Sequence, residues 1–311
     1  MSTHKVEVVP VSLRPHPNAD SLSVVSVWGY TVCVRTADWL GLDRGAYIPP
    51  DSVVDSSRPE FSFLAGHERI KVKKLRGVVS MGLLVRAPEG AEIGEDVMER
   101  LGVKHYEPPL HLSTEGEAAP APSLHAPCYD VESARRYGHL FADGEPVIVT
   151  EKIHGTNGRW LFDGERMHAA SRTEWKREGA SVWWQALDRC PWLGAWLRAH
   201  PGLVVYGEVF GQVQDLHYGR ALDVAVFDIL EGARWLDAVE ARNVGSALHW
   251  VPVLAETAWH WPDIAQHAEG QSTLADHVRE GCVVKPLVER THAEIGRVQL
   301  KIVGNGYLER A

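Results

Sequence analysis

The first place in this sequence where chemistry can be read is a lysine that ends an apolar run and leads at once into a glycine-bearing turn. The run is Val147-Ile148-Val149-Thr150-Glu151-Lys152, and it continues as Ile153-His154-Gly155-Thr156-Asn157-Gly158. An amine at the end of a buried strand is partly desolvated. Desolvation disfavours its charged form and so favours its use as a nucleophile. Gly155 and Gly158 carry no Cβ and would let backbone approach a ligand closely. Taken alone, a lysine at a strand end is more often an ordinary solvated residue, so the surrounding sequence has to decide.

The string Glu151-Lys152-Ile153-His154-Gly155-Thr156-Asn157 resembles the first motif of the covalent nucleotidyltransferases, in the form found in nick-sealing RNA ligases. DNA ligases usually have Asp where His154 stands. Five further segments follow in the family's order: Ala170-Ser171-Arg172-Thr173, Val205 to Gly211 (VYGEVFG), Val224 to Ile229 (VAVFDI), Glu280 to Pro286 (EGCVVKP) and Val298 to Ile302 (VQLKI). The joint pattern, more than any one match, carries the resemblance.

The resemblance implies an ATP-dependent RNA ligase that works through a lysyl-AMP on Lys152 and joins 3′-OH and 5′-phosphate ends at nicks. Attack of an amine on the α-phosphate of ATP builds negative charge on non-bridging oxygens, which catalysis must stabilise. Lys285 and Lys301 would aim ammonium groups at that phosphate, and their closeness would help keep Lys152 neutral. Glu208 and Glu280 are hard oxygen ligands suited to a hydrated Mg2+ or Mn2+ ion. The family further implies that Phe227 stacks on adenine, with Val283 packing the other face. Glu151 and Ile153 flank the lysine as adenine-side contacts, Glu151 mostly through its backbone. Arg172 and Asn157 would contact the ribose or the polynucleotide end. Read singly, Phe227 and Val283 are also plain core residues, the glutamates surface carboxylates and Arg172 a rim ion pair.

Two departures stand out. Some relatives carry a second lysine two positions after the last-motif lysine, where this chain has Val303; that loses a phosphate contact or moves it to Arg297. Many ligases carry a further domain after that motif, but only ten residues follow Lys301. The expected substitute is the N-terminal part, acting as a duplex clamp.

That N-terminal part must supply a nucleic-acid grip, and its pattern fits. Residues 1–107 hold short β-type runs (Val6 to Leu13, Leu22 to Val27, Thr31 to Arg35, Ile70 to Leu75, Gly82 to Val85) separated by Gly and Pro, which predicts a small barrel. His16-Pro17-Asn18-Ala19-Asp20-Ser21-Leu22 and Lys74 to Gly82 (KLRGVVSMG) resemble the OB-fold tRNA-binding domains appended to some synthetases. Within it, Arg69, Lys71, Lys73, Lys74 and Arg76 alternate with hydrophobes and predict a strand with one basic face for RNA or an RNA-containing duplex. Residues 108–127 are rich in Pro, Ala and Ser without periodicity and read as a linker.

Residues 128–311 alternate β-type runs (Pro146 to Lys152, Arg159 to Phe162, Leu203 to Phe210, Asp223 to Leu230, Cys282 to Leu287, Arg297 to Val303) with helical patches (Val131 to Leu140, Ser181 to Asp188, Trp192 to Ala199, Asp237 to Leu248). The expected class is α+β: an OB-type β-barrel followed by a ligase-type nucleotidyltransferase domain of antiparallel sheets flanked by helices.

Composition bounds the rest. The net charge of −9, from 32 basic and 41 acidic residues, argues against non-specific coating of nucleic acid and leaves room only for a local basic groove. Cys33, Cys128, Cys190 and Cys282 are scattered, form no CxxC pair and fit reduced thiols in a cytoplasm. The start of the chain has no apolar signal core, and no run of 18 apolar residues exists, so neither secretion nor a membrane partner is expected. A monomer is expected. Trp175, Trp183 and Trp184 lie near Arg172, Lys176 and Arg177; this could grip nucleic acid, but a helical core is the simpler reading of Trp183 and Trp184. The competing functions are a DNA ligase or capping-type transferase and, outside enzymes, a nucleic-acid-binding protein with an inactive transferase half.

Overall fold

The computed structural model describes residues 4–106 and 116–309. The chain forms two compact units, one of Met1–Pro109 with Leu308–Ala311 and one of Leu110–Tyr307. Of the expected linker, residues 108–115 lie outside the described residues.

Among the described residues the first unit is mostly strands, with a six-residue 3-10 turn at Pro59–Leu64 and one turn of α-helix at Thr36–Trp39. Glu7–Pro10, Arg44–Ile48 and Leu83–Val85 form one antiparallel sheet, and Arg14–His16, Ala19–Val27 and Tyr30–Arg35 another. Val9, Tyr47 and Leu84 of the first pack with Val25, Val27, Val32 and Val34 of the second, and Val6, Val8, Ala46, Ile48 and Val85, alternating with them, are buried with Phe61 in a separate cluster. The two sequence signatures of this unit meet in space. His16 Nε2 lies 3.1 Å from the Leu75 carbonyl, and Asn18 Nδ2 donates to the Arg76 carbonyl at 2.9 Å.

That carbonyl belongs to a two-residue hairpin turn joining Lys73–Leu75 to Val78–Ser80. Arg76 and Gly77 both have positive φ (47 and 90), the pairing a tight twisted hairpin demands. The basic stretch is therefore not one long strand. Only Lys73–Leu75 is extended in a ladder, and the turn breaks the expected single face. Arg69 pairs with Asp51 at 2.6 Å and lies over the Tyr106 ring at 3.7 Å; Lys74 pairs with Glu309. Lys71, Lys73 and Arg76 remain exposed.

Among the described residues the second unit is built from two large sheets, a short ladder of Thr291–His292 with Gly296–Arg297, and their helices. The first, here the lysine sheet, runs in the order Glu132–Ser133, Leu300–Val303, Gly281–Pro286, Pro146–Lys152, Val253–Ala258, parallel only at the first pairing. Val147, Val149, Cys282, Val284, Leu300 and Ile302 turn one way, onto Tyr137, Phe141, Trp259 and Ile264. Strand alternation then sends Ile148, Thr150, Lys152, Val283, Lys285 and Lys301 to the other side.

The second, the glutamate sheet, runs Trp175–Lys176, Met167–Ser171, Thr156–Phe162, Leu203–Gly211, Leu222–Glu231, Arg234–Trp235. Its outer face buries Trp160, Val205, Val209, Val224 and Val226 against the helices Val182–Arg189 and Pro191–Ala199. The second helix starts with Pro191, whose fixed φ and missing N–H suit a first helical position. Trp183 is core, 1% exposed.

Several expected elements shift. The patch from Val131 to Leu140 is an edge strand, one helical turn (Ala134–Tyr137) and a 3-10 turn, because Gly138 packs against the Trp259 indole and the chain turns there. The Arg297 to Val303 run is broken in two: Arg297 pairs with Thr291 in a short ladder, and the strand of the lysine sheet begins at Leu300. The Pro/Ala-rich stretch from residue 116 is no free tether. The Ala119 N–H donates to the Trp175 carbonyl, Arg159 Nη1 to the Ala126 carbonyl at 2.6 Å and the Tyr206 hydroxyl to the Pro127 carbonyl. A strap held by its carbonyls has no side-chain period to reveal it.

Candidate active site

Lys152 ends its strand at a turn that the glutamate sheet grips. Gly155 sits where a Cβ would come within 2.2 Å of the Val209 carbonyl and 3.0 Å of Glu208 Cγ, so only glycine lets the lysine turn lie this close to Glu208. Opposite Lys152 in the ladder, Gly281 follows Glu280; a Cβ there would lie 2.0 Å from the Ile302 carbonyl. The two glycines thus bring both carboxylates to the lysine. Gly158 plays a different part from the one expected: the Trp160 and Trp183 indoles fill the space its Cβ would need.

Lys152 Nζ lies 2.6 Å from Glu280 Oε1. Burial alone would lower the amine, but the Glu280 and Glu208 carboxylates outweigh it and raise Lys152 above its ordinary value. This corrects the expectation that neighbouring lysines keep it neutral. Lys301 is instead lowered, by burial first and then by the Lys152 ammonium. Burial pushes Glu208 up to about 8; Lys152 opposes the shift and Glu280 adds to it.

Lys285 is also corrected. It is 4% exposed, its ammonium sits 2.8 Å from Asp228 Oδ1, and it donates to the Phe227 carbonyl at 2.8 Å. It stands opposite Ile148, four ladder positions from the Gly281 that faces Lys152, so it is an internal counter-ion of the glutamate sheet. Arg297, the expected substitute at the phosphate, is equally committed: Nη1 lies 2.8 Å from Asp228 Oδ2, its fork grips Glu289, and its guanidinium covers the Trp235 ring at 4.1 Å. The Tyr129 hydroxyl lies between Asp228 and Gln299.

Burial opposes ionisation of Asp228, yet Arg297 and Lys285 hold its carboxyl down to about 2. Because the folded value lies below the unfolded one, its stabilisation is present above about pH 4 and is lost as pH falls through 2. Asp228→Ala strands two buried cations and is expected to cost about 3–5 kcal/mol. Urea unfolding at neutral pH reads this; a loss under about 1 kcal/mol would contradict the buried cluster.

The remaining expected residues divide. Phe227 is the unpaired residue of a bulge, between Val226 opposite Gly207 and Asp228 opposite Tyr206, a device that re-aims a side chain. Its ring lies 4.5 Å from that of Tyr129. Val283 sits opposite both Thr150 and Lys301 on the inward side of the lysine sheet. Asn157 pairs with Glu208, and its Oδ1 is buried with no hydrogen-bond partner among the described residues. Arg172 pairs with Asp130 at 2.9 Å and is near enough to Lys301 to influence its amine. Ile153 points into an apolar cluster with Phe210 and Tyr218, so only its backbone can face a nucleotide. The Glu151 side chain turns away from Lys152 to Ser272 and Thr273.

Sequence reading missed a polar frame around His154. Its Nε2 lies 2.7 Å from Asp215 Oδ1, its Nδ1 lies 3.1 Å from the Tyr307 hydroxyl, and its N–H donates to the Tyr218 hydroxyl at 2.9 Å. The signal available was weak: Asp215 and Tyr218 stand in a loop of no period, and Tyr307 lies in a single helical turn, Asn305–Leu308.

The site also suits a divalent ion. Among the described residues Asn157 Oδ1 is a buried oxygen without a hydrogen-bond partner, beside the Glu208 carboxylate, and buried Glu280 Oε2 has only the His154 Nδ1 near it, at 3.6 Å. Among the described residues no three His, Cys, Asp or Glu side chains group to hold a metal unaided. Two carboxylates fit an ion that completes its shell with water and phosphate oxygens.

A lysine set between two carboxylates, with a second lysine beside it and two facing antiparallel sheets around them, is the arrangement of a nucleotidyltransferase. The RNA ligase family model matches residues 145–303, just over half of the chain, and an OB-fold domain family matches residues 4–87. The chain belongs to the RNA ligase family and carries an N-terminal OB-fold domain. Among solved structures, a variant of Naegleria gruberi RNA ligase in its apo form is 23% identical, with a TM-score of 0.85, covering 100% of this chain and 99% of that one. A variant of the same ligase with ATP and Mn is 22% identical over 98% of both chains (TM-score 0.85), and the ligase with PPi is 24% identical over 99% of both (TM-score 0.84). At these identities the likeness is one of fold. A search of curated proteins found no match. No helix among the described residues is long and apolar enough to cross a membrane.

Proposed function

We propose that this chain is an ATP-dependent RNA ligase that forms lysyl-AMP on Lys152 and seals 3′-OH and 5′-phosphate ends at nicks in duplexes containing RNA. The observation that carries the reading is the Lys152 amine, 2.6 Å from Glu280, with Glu208 and Lys301 near enough to shift its proton affinity or have theirs shifted by it. Solved structures of the similar Naegleria ligase contain ATP and Mn, which supports the same co-substrate and an ion of that kind here.

Three in-line transfers follow. The neutral Lys152 amine attacks the α-phosphorus of ATP; a P–N bond forms, the bond to pyrophosphate breaks and the amine proton leaves. A 5′-phosphate oxygen of the polynucleotide then attacks the same phosphorus, and the amine departs. Finally a 3′-OH attacks the 5′-phosphorus, and AMP departs. Lys301, held beside Lys152, supplies positive charge to the phosphate being attacked. A magnesium or manganese ion held by Glu208 and Glu280 would neutralise phosphate charge. Phe227 supplies a stacking surface for adenine, a contact worth about 1–3 kcal/mol, and Arg172 and Asn157 reach the ribose or the strand end. The protein acts as a monomer in the cytoplasm.

The domain organisation supports a division of labour, with OB residues 1–107 gripping the duplex through Lys71, Lys73, Lys74 and Arg76. Deleting residues 1–105 is expected to leave AMP labelling within about threefold and to slow sealing of a nicked duplex about tenfold or more. A truncated protein that seals at the full rate would rule out the clamp. The whole reading is tested by incubation with ATP labelled at the α-phosphate and denaturing electrophoresis. Labelled protein that loses its label to a 5′-phosphorylated nick supports it, and no covalent label overturns it.

A further inference from the structure

The Glu151 carboxylate is 2% exposed, and among the described residues its hydrogen bonds come from neutral donors. It accepts from Ser272 Oγ at 2.5 Å, from the Thr273 N–H at 2.8 Å and from Thr273 Oγ1 at 2.7 Å. All three donors come from one lobe, residues 271–278. The lobe is closed on itself by the Gln271–Val278 bridge and by the Ser272 N–H donating to the His277 carbonyl at 2.8 Å. Ser272 Oγ in turn accepts from the Leu274 N–H at 3.1 Å, so the fastening reaches the lobe's tip. There Leu274 and Ala275 pack on the apolar cluster of Ile153 and Phe210, which Phe227 also touches. The chain leaving the lobe reaches Glu280 two residues later.

We propose that this lobe is a side wall of the purine pocket, with Leu274 against the base, and that Glu151, Ser272 and Thr273 are positioning residues that hold it there. The inference rests on the reading of Lys152 and Phe227 as an ATP site. Three of the roughly four acceptor positions of the Glu151 carboxylate are filled by lobe donors, and the group is 2% exposed. The side chain is thus committed chiefly to the wall. Its position makes physical sense: one carboxylate ties the residue before Lys152 to the segment entering the Glu280 strand, so the wall and the reacting groups keep one geometry. Small displacements of positioning elements are costly to a nucleotide that must be held in line.

The test uses the full chain and two variants, neither of which touches the reacting atoms. Ser272→Ala/Thr273→Val removes two of the three donors, and Leu274→Ala removes the wall contact while leaving the fastening intact. Initial rates of AMP labelling are measured against ATP concentration, alongside thermal melting. Each variant is expected to raise the KM for ATP about tenfold with kcat within about threefold. A purely structural lobe would instead lower the melting temperature and kcat, with KM within about twofold of wild type in Leu274→Ala; that result overturns the proposal, and Leu274→Ala decides it if the double variant fails to fold. Absence of label in the wild type would be a different failure, of the ATP site itself.

Discussion

Replacing Lys152 by alanine will leave no AMP-labelled protein on incubation with labelled ATP, under conditions where the wild type labels within minutes. No other amine in the site can substitute. Lys301 stands two strands away from Lys152, opposite Val283, and Lys285 is held by Asp228 and the Phe227 carbonyl at 2.8 Å each. The same variant should still seal a nick whose 5′ end is supplied already adenylylated, because that step needs Lys301 and the carboxylates but not the Lys152 nitrogen. This pairing separates chemistry from folding. A variant that labels at the wild-type level would refute the assignment of the nucleophile, and one that fails on both substrates would have to be checked for folding before being counted.

The second large effect is expected at Glu280. Its carboxylate fixes the Lys152 amine at 2.6 Å, and its second oxygen, 3.6 Å from His154 Nδ1, is the one proposed to meet a divalent ion. Glu280→Ala should slow labelling about 10²–10³-fold, the size expected for several kcal/mol of lost transition-state stabilisation. The pH profile should change as well. In the wild type Lys152 is raised above its ordinary value, so its neutral fraction, and with it the labelling rate at saturating ATP, climbs about tenfold per unit across the neutral range. Without the Glu280 charge, burial is left as the main influence and lowers the amine, so the profile should flatten at lower pH. Glu208 adds a second dependence. Its carboxyl is raised to about 8, so holding an ion requires release of its proton, and apparent Mn2+ affinity should rise toward pH 8 and level above it. A Glu280→Ala enzyme within about threefold of wild type, or one with an unchanged profile, would contradict this role.

How far the sequence discloses this arrangement depends on what holds each part. The strand Pro146–Lys152 is legible to the residue because apolar side chains on both faces make a continuous run that ends where charge begins. Leu203–Gly211 and Leu222–Glu231 are legible for the same reason. Met167–Ser171 is not, since its small buried residues carry no strong β signal, although it is hydrogen-bonded to Thr156–Phe162 along its whole length. Lys152, Glu208, Glu280 and Lys301 come together as their motif order implies. Lys285 and Arg297 do not, because a motif records a residue type and not the buried Asp228 that claims both cations. The strap from residue 116 and the Tyr307 contact to His154 are invisible for another reason. Both depend on tertiary hydrogen bonds made by residues without periodicity, and such bonds leave no local trace.

The most direct test of the central claim is the mass of the adduct and its address. Wild-type protein incubated with ATP and Mn2+, quenched, digested and sequenced by mass spectrometry should carry one AMP per chain, on the peptide containing Lys152, joined through the lysine nitrogen and released by acid. AMP on any other residue, or an intact enzyme that seals RNA without acquiring AMP at all, would contradict it.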